Sequence, residues 1–215
     1  MNIFDKYSYI VVEGPIGCGK STLTSLLAEQ FHANIFNEKA ERNPFLPKFY
    51  EDKKHYALPT QLFFLFQRAN QLNSLKQKDF FSNGVIADFF LQKDPIFAKL
   101  NLDEEELKLY NQIYHHLNLK APVPDLVIYL QTPVELLRSR VEKRNIPYEQ
   151  RISTEYLEKI AESYSNYFHN EHKSNVLIVN NENIDLLKDR SALNMMIERI
   201  EGISSVREYF NPKVF

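Results

Sequence analysis

The chain has 215 residues, 26 Lys and Arg against 28 Asp and Glu, and 44% hydrophobic residues. That length suits one well-filled α/β domain over 1–215, and the evenly mixed charge offers no face for a nucleic-acid polymer. The lone cysteine, Cys18, excludes a disulfide within the chain, and neither a leader-like opening nor an apolar run near the roughly 20 residues of a membrane span occurs, so a cytoplasmic protein is expected.

Tyr9-Ile10-Val11-Val12, β-branched and aromatic, predicts a buried strand. It runs into Gly14-Pro15-Ile16-Gly17-Cys18-Gly19-Lys20-Ser21, which fits G-x-x-x-x-G-K-[ST], with Thr22 next. Leu23, Leu26, Leu27 and Phe31 then fall at helix spacing. Glycines let the loop backbone close around a phosphate, and the helix that follows turns its positive end toward it. Lys20 supplies a cation for the β- and γ-phosphates, and Ser21 a hydroxyl for Mg2+. Cys18 reads as a space-filling residue of the loop. The stretch predicts an ATP site.

Ala33 to Asn37 reads as a second strand ending at Glu38, followed by an irregular segment punctuated by Pro44 and Pro47. A helix is expected from Leu58 to about Gln77, with Pro59 in its first turn and Leu62, Leu65, Phe66, Ala69, Leu72 and Leu75 on its apolar side. Gly84 to Ala87 is a third short strand, ending at Asp88. Acids open a helix that runs from about Asp103 to Leu119. Leu126 to Gln131 is a strand, Pro133 to Lys143 a helix, and Ser153 the cap of a helix reaching Phe168. Val176 to Val179 is the last expected strand, and 184–200 contains the last helix. Short apolar strands alternating with helices predict a P-loop NTPase-type, doubly wound sheet of five parallel strands covered on both faces.

In such a sheet, ligands lie beyond the carboxyl ends of the strands. Glu38 and Asp88 both occupy strand ends. Asp88 has a Walker-B-like position, where with Ser21 it is placed to hold Mg2+ or support the reacting groups. A guanine-reading N-K-x-D is absent, and the length is short for a motor ATPase. The late basic segment, Arg138, Arg140, Lys143, Arg144 and Arg151, suits a lid over about 144–151 that keeps water from the phosphates. These features point to a small-molecule kinase, with Arg144 stabilising the charge that spreads during transfer.

From the first strand to about Phe168 the sequence resembles the deoxynucleoside kinase family, through NEKAERNPFL, KFYEDKKHYALPTQLFFLFQRANQL, IFAKL and RSRVEKRNIPYEQRISTEYLEKI. The resemblance implies that Glu38 is the base that takes the 5′-hydroxyl proton. It implies that Tyr50 and Glu149 hold the sugar 3′-hydroxyl, that Gln61 and Arg68 serve the nucleobase, and that Phe97 stacks on it. It further implies that Arg140 lies on the ATP adenine and that Arg144 binds phosphate. The segments YEQ and DFFLQKD are closer to the bacterial, purine-directed branch, so deoxyadenosine or deoxyguanosine is the expected substrate. A homodimer formed by helices is implied as well.

The sequence departs from the family in two places. The usual arginine after the third strand is missing from Ala87-Asp88-Phe89-Phe90, where Asp88 matches the motif's acid only after a one-residue slip, and Ile146 occupies a lid arginine position. Arg42, Lys93 and Arg151 are the candidates to replace these cations. A family acid that selects the base falls near Lys93 and Asp94. A nucleoside monophosphate kinase of thymidylate type is the nearest rival, and it would want an arginine beside Asp88 where Phe89 stands. A nucleotide-binding regulatory module without catalysis is the rival from another class.

Overall fold

The computed structural model describes residues 2–77, 84–118, 121–183 and 190–212. The side chain of Leu75, the expected helix end at Leu119 and residues 184–189 lie outside the described residues. Six strands form one parallel sheet in the order β2 (Asn34–Phe36), β3 (Val85–Ala87), β1 (Tyr9–Glu13), β4 (Leu126–Gln131), β5 (Val176–Asn180), β6 (Arg207–Phe210). β1 and β3 are buried along their whole length, and β4 along all but its last residue, because helices cover both faces. The sixth strand was not expected. As an edge strand, β6 needs only one buried side and reads REYF, with Tyr209 51% exposed, so no apolar run announces it.

The helices are α1 (Lys20–Phe31), α2 (Leu46–Phe49), α3 (Lys53–Gln77), α4 (Asp94–Asn101), α5 (Glu104–Asn118), α6 (Val134–Arg144), α7 (Thr154–Asn166) and α8 (Arg190–Glu201). Helix α3 starts five residues earlier than expected, which places Pro59 inside it and not in its first turn. Asp52 explains the early start: its Oδ1 accepts from the His55 N–H at 3.3 Å, a side-chain cap for the first turn. Helix α4 was also not expected. Pro95 sits in its first turn, where no amide donor is needed. Ser153 caps α7 as expected, accepting from the Tyr156 N–H at 3.2 Å.

Helix α7 is clamped on the sheet by aromatic rings. Tyr129 of β4 stacks on Phe168 at 4.6 Å and on Tyr164 at 6.2 Å between centroids. Strands β2 and β3 lie on one side of β1 and β4 to β6 on the other, so the strand order reverses at the carboxyl end of β1. Among the described residues no helix is long and apolar enough to cross a membrane.

Candidate active site

The phosphate loop leaves β1 at Glu13 and enters α1 at Lys20. Gly17 has φ +87°, and a Cβ there would lie 2.9 Å from the Leu137 carbonyl oxygen, so the turn requires glycine. Gly19 precedes α1 without a side-chain cap, which leaves the first N–H groups of a twelve-residue helix directed at the loop. Lys20 Nζ donates to the carbonyls of Gly14 (2.8 Å) and Pro15 (3.1 Å). From the β4–β5 side, the Cys18 carbonyl accepts from Arg140 at 3.1 Å and from Asn181 Nδ2 at 2.7 Å, and the same nitrogen reaches Thr132 Oγ1 at 3.0 Å. Cys18 itself is 1% exposed, and its sulfur fills the space beside Gly14. Pro15 is buried, while Ile16 and Thr22 are half-buried.

Among the described residues, four carboxylates, Asp88, Glu38, Asp94 and Glu13, belong to one network beside this loop. Asp88, 3% exposed at the end of β3, accepts from Ser21 Oγ at 2.7 Å and from the backbone N–H of Glu38 at 2.6 Å. The Glu38 carboxylate follows β2 and sits between two cations. Arg68 Nε donates to Oε1 at 2.5 Å, and Lys93 Nζ donates to Oε2 at 3.3 Å. Arg68 also pairs with Asp94, and Lys93 with Glu13 Oε1 at 3.0 Å. Glu13 Oε2 accepts from the Gly14 N–H and from the Tyr164 hydroxyl, both at 3.1 Å. Burial opposes the charge on Glu38, but Arg68, Lys93 and Lys20 outweigh it and hold its carboxyl at about 2. Burial likewise opposes the ammonium of Lys93, yet Glu13 and Glu38 raise its pKa above the ordinary lysine value.

The sequence reading missed Glu13 and left the cation question open. An acid ending an apolar strand directly before the loop's first glycine was the available signal, the same one that pointed to Asp88. Of the three candidate replacements for the missing arginine, Lys93 is the one that reaches Glu38. Arg42 is exposed, and Arg151 pairs with the exposed Glu51. Asp94 is paired with Arg68, while Lys93 faces Glu13 and Glu38.

The remaining expected residues lie on α3, α4 and α6, at the end of α2 and in the 144–151 segment. Gln61 and Arg68, two turns apart on α3, are each 4% exposed, which excludes a solvated face. Phe97 of α4 is half-buried with its ring edge-on to Tyr164 at 5.9 Å. Tyr50 stacks on Tyr148 at 6.3 Å, joining the end of α2 to the 144–151 segment, and burial keeps its hydroxyl protonated well beyond the ordinary range. Arg144 donates twice to Glu149 Oε2, at 2.6 and 2.9 Å, within the 144–151 segment. Phe89, 0% exposed, fills the position where a monophosphate kinase would want a cation. A groove of about 580 Å³ opens at the opposite, amino end of the sheet, but its Lys6 ammonium is engaged by the carbonyls of Glu201 and Ile203.

Comparison with known proteins places the chain in a family. A deoxynucleoside kinase of Bacillus subtilis, its deoxyguanosine kinase, is 39% identical over 158 residues, covering 73% of this chain and 76% of its own. The deoxyadenosine kinase of Lactobacillus acidophilus is 30% identical over 207 residues, covering 89% of this chain and 94% of its own. Among solved structures, deoxyadenosine kinase from M. mycoides, with its products dCMP and a flexible dCDP bound, superposes with a TM-score of 0.79 at 27% identity, covering 91% of this chain and 100% of that one. The family model described as deoxynucleoside kinase matches residues 10–204, nearly the whole chain, and this protein belongs to the deoxynucleoside kinase family, ATP-dependent phosphotransferases that act on deoxynucleosides.

Proposed function

We propose that this kinase moves the γ-phosphoryl group of ATP, as its Mg2+ complex, to the 5′-hydroxyl of a purine deoxynucleoside, deoxyadenosine or deoxyguanosine, in nucleotide salvage. The observation that carries the reading is Glu38. Its carboxylate lies between Arg68 and Lys93, and its backbone is tied through Asp88 to Ser21 of the phosphate loop. One run of contacts thus joins the polyanion end of the cleft to its nucleoside end.

The loop from Gly14 to Thr22 holds the phosphates through the backbone N–H groups that follow Pro15, with the Lys20 ammonium turning from its loop carbonyls to the β- and γ-oxygens. Ser21 and Asp88 fit Mg2+, since a hydroxyl and a carboxylate in direct contact are the hard oxygen donors it takes beside phosphate. When bound, the ion neutralises charge on the phosphates. Glu38 accepts the proton of the 5′-hydroxyl as that oxygen bonds to phosphorus and the bond to the ADP oxygen breaks. A carboxylate held at about 2 is a feeble base toward a free alcohol. In a loose transition state the proton leaves late, once the bond to phosphorus has made it strongly acidic, so aiming the alcohol is most of the work of Glu38. Arg144 stabilises the spreading charge, and Arg140 lies along the adenine. Tyr50 and Glu149 meet the 3′-hydroxyl, Phe97 stacks on the base, and Gln61 with Arg68 faces its edge.

A purine preference is supported by the relatives named deoxyguanosine and deoxyadenosine kinase. Pairing of two copies through α3 and α5 is supported by Phe66 and Leu109, exposed at 46% and 47% on helices that pack together. The cytoplasm is the compartment we propose. Initial rates with MgATP across the four natural deoxynucleosides and their ribose counterparts test the reading. A purine deoxynucleoside is expected to give the highest kcat/KM. A pyrimidine optimum overturns the base assignment, and absence of product with every nucleoside overturns the transfer itself.

A further inference from the structure

We propose that Lys93 and Glu13 form a positioning pair, in which Lys93, anchored on Glu13 in the central strand, fixes Glu38 Oε2 relative to the phosphate loop. The inference deepens the reading of Glu38 as the base and rests on it.

The burial of this pair makes little sense as a stability device. Glu13 is 0% and Lys93 2% exposed, and removing such ions from water costs several kcal/mol each, so an apolar pair of equal volume would hold the core as well or better. What the charges add is direction. Glu13 stands in the interior of the sheet, and its other oxygen already accepts from the Gly14 N–H and the Tyr164 hydroxyl, both at 3.1 Å, so it is a fixed point. Lys93, in the turn before α4, pairs with that point at 3.0 Å and extends to Glu38 Oε2 at 3.3 Å. A lysine ammonium, a compact charge with rotatable donors, suits two acceptors approaching from different elements.

Glu38 needs such support because it lies in the irregular segment after β2, with its side chain still 16% exposed. Arg68 grips Oε1 alone, and a carboxylate held at one oxygen can pivot about that contact. The second cation removes the pivot. Because Glu13 also holds the first N–H of the phosphate loop, donor and acceptor halves of the reaction share one anchor.

The test measures kcat, nucleoside KM and Tm for Glu38→Gln, Lys93→Met, the double variant Glu13→Gln/Lys93→Met, and the triple variant that adds Glu38→Gln to it. Lys93→Met alone strands the Glu13 charge, so the double variant, which removes both charges together, is the decisive one. It is expected to lose kcat on the order of 100-fold, the scale of an ångström-sized misplacement, while nucleoside KM stays within about threefold. The triple variant is expected to be no slower than Glu38→Gln. A double variant with near wild-type turnover, or losses that add to that of Glu38→Gln, overturns the positioning pair and leaves the base assignment standing. A double variant that loses Tm while turnover per folded molecule stays unchanged assigns the pair to the fold alone and overturns it too. Near wild-type kcat in Glu38→Gln brings down the base assignment, and the positioning pair with it.

Discussion

Asp88 uses one carboxylate oxygen to hold the hydroxyl of Ser21 and the other to hold the backbone N–H of Glu38. The residue at the tip of β3 therefore ties the phosphate loop to the segment that carries Glu38. Asp88→Asn keeps the shape but presents only one acceptor atom to two donors. It is expected to lower kcat by roughly 10–100-fold and to raise the Mg2+ concentration needed for half-maximal rate, with nucleoside affinity little changed. Steady-state rates over a Mg2+ titration check this, and an unchanged Mg2+ requirement would remove Asp88 from the metal's donor set.

The pH dependence separates the base from its neighbours. Glu38, held at about 2 by Arg68, Lys93 and Lys20 against the effect of burial, is ionised across the whole working range, so it contributes no acid limb to kcat/KM. Asp94 differs. Burial raises it to about 6, outweighing the pull of Arg68, so below that pH it becomes neutral and Arg68 loses one of its two carboxylate partners. The expected profile falls on the acid side near pH 6, and in Asp94→Asn that limb disappears from an already lower curve. Persistence of the limb in the variant would assign it to another group.

The phosphate loop could be read from sequence because its chemistry dictates glycine at fixed spacing, and no side chain can stand in. Glu38 and Asp88 could be read because short buried strands end visibly and a charge directly after them is conspicuous. The partnership of Lys93 with Glu13 could not, since a buried lysine looks like any other lysine and its partner lies on β1, distant in the sequence. The start of α3 was missed for a related reason: Pro59 looked like a first-turn residue, while the real cap, Asp52, was hidden among the charges of EDKKH. The edge strand β6 has one buried side and no pattern that separates it from a loop.

A second pH effect concerns the fold and not the chemistry. His172 is 7% exposed among Phe90, Tyr167 and Phe168, its Nε2 has no partner among the described residues, and burial with the nearby Arg207 lowers its pKa from 6.5 to about 4. A depressed folded value means that the unfolded chain binds the proton first. Stability is then fully present above about pH 6.5 and declines as pH falls toward 4, by about 2 kcal/mol at pH 5 for this group. Urea unfolding at pH 7 and pH 5, for the wild type and for His172→Phe, measures it. The variant is expected to lose about that much of the pH dependence, and equal slopes in both proteins would refute the assignment.

Asn181 offers the sharpest separation of the two substrate sides. Its amide nitrogen, on a side chain 1% exposed just past β5, donates to the Cys18 carbonyl at 2.7 Å and to Thr132 Oγ1 at 3.0 Å. The loop is thereby braced from the side away from Glu38, Asp88 and the nucleoside pocket. Asn181→Leu is close in volume but leaves Arg140 as the remaining donor to the Cys18 carbonyl, which costs about 0.5–1.5 kcal/mol and loosens the turn. Because this contact joins the phosphate loop to Thr132 and not to the residues proposed for the nucleoside, KM for ATP is expected to rise about tenfold while KM for the nucleoside stays unchanged. A Tm shift with both KM values intact would mean that the loop holds its shape without the brace, and a parallel rise in both would mean that Asn181 acts through the sheet and not through the loop.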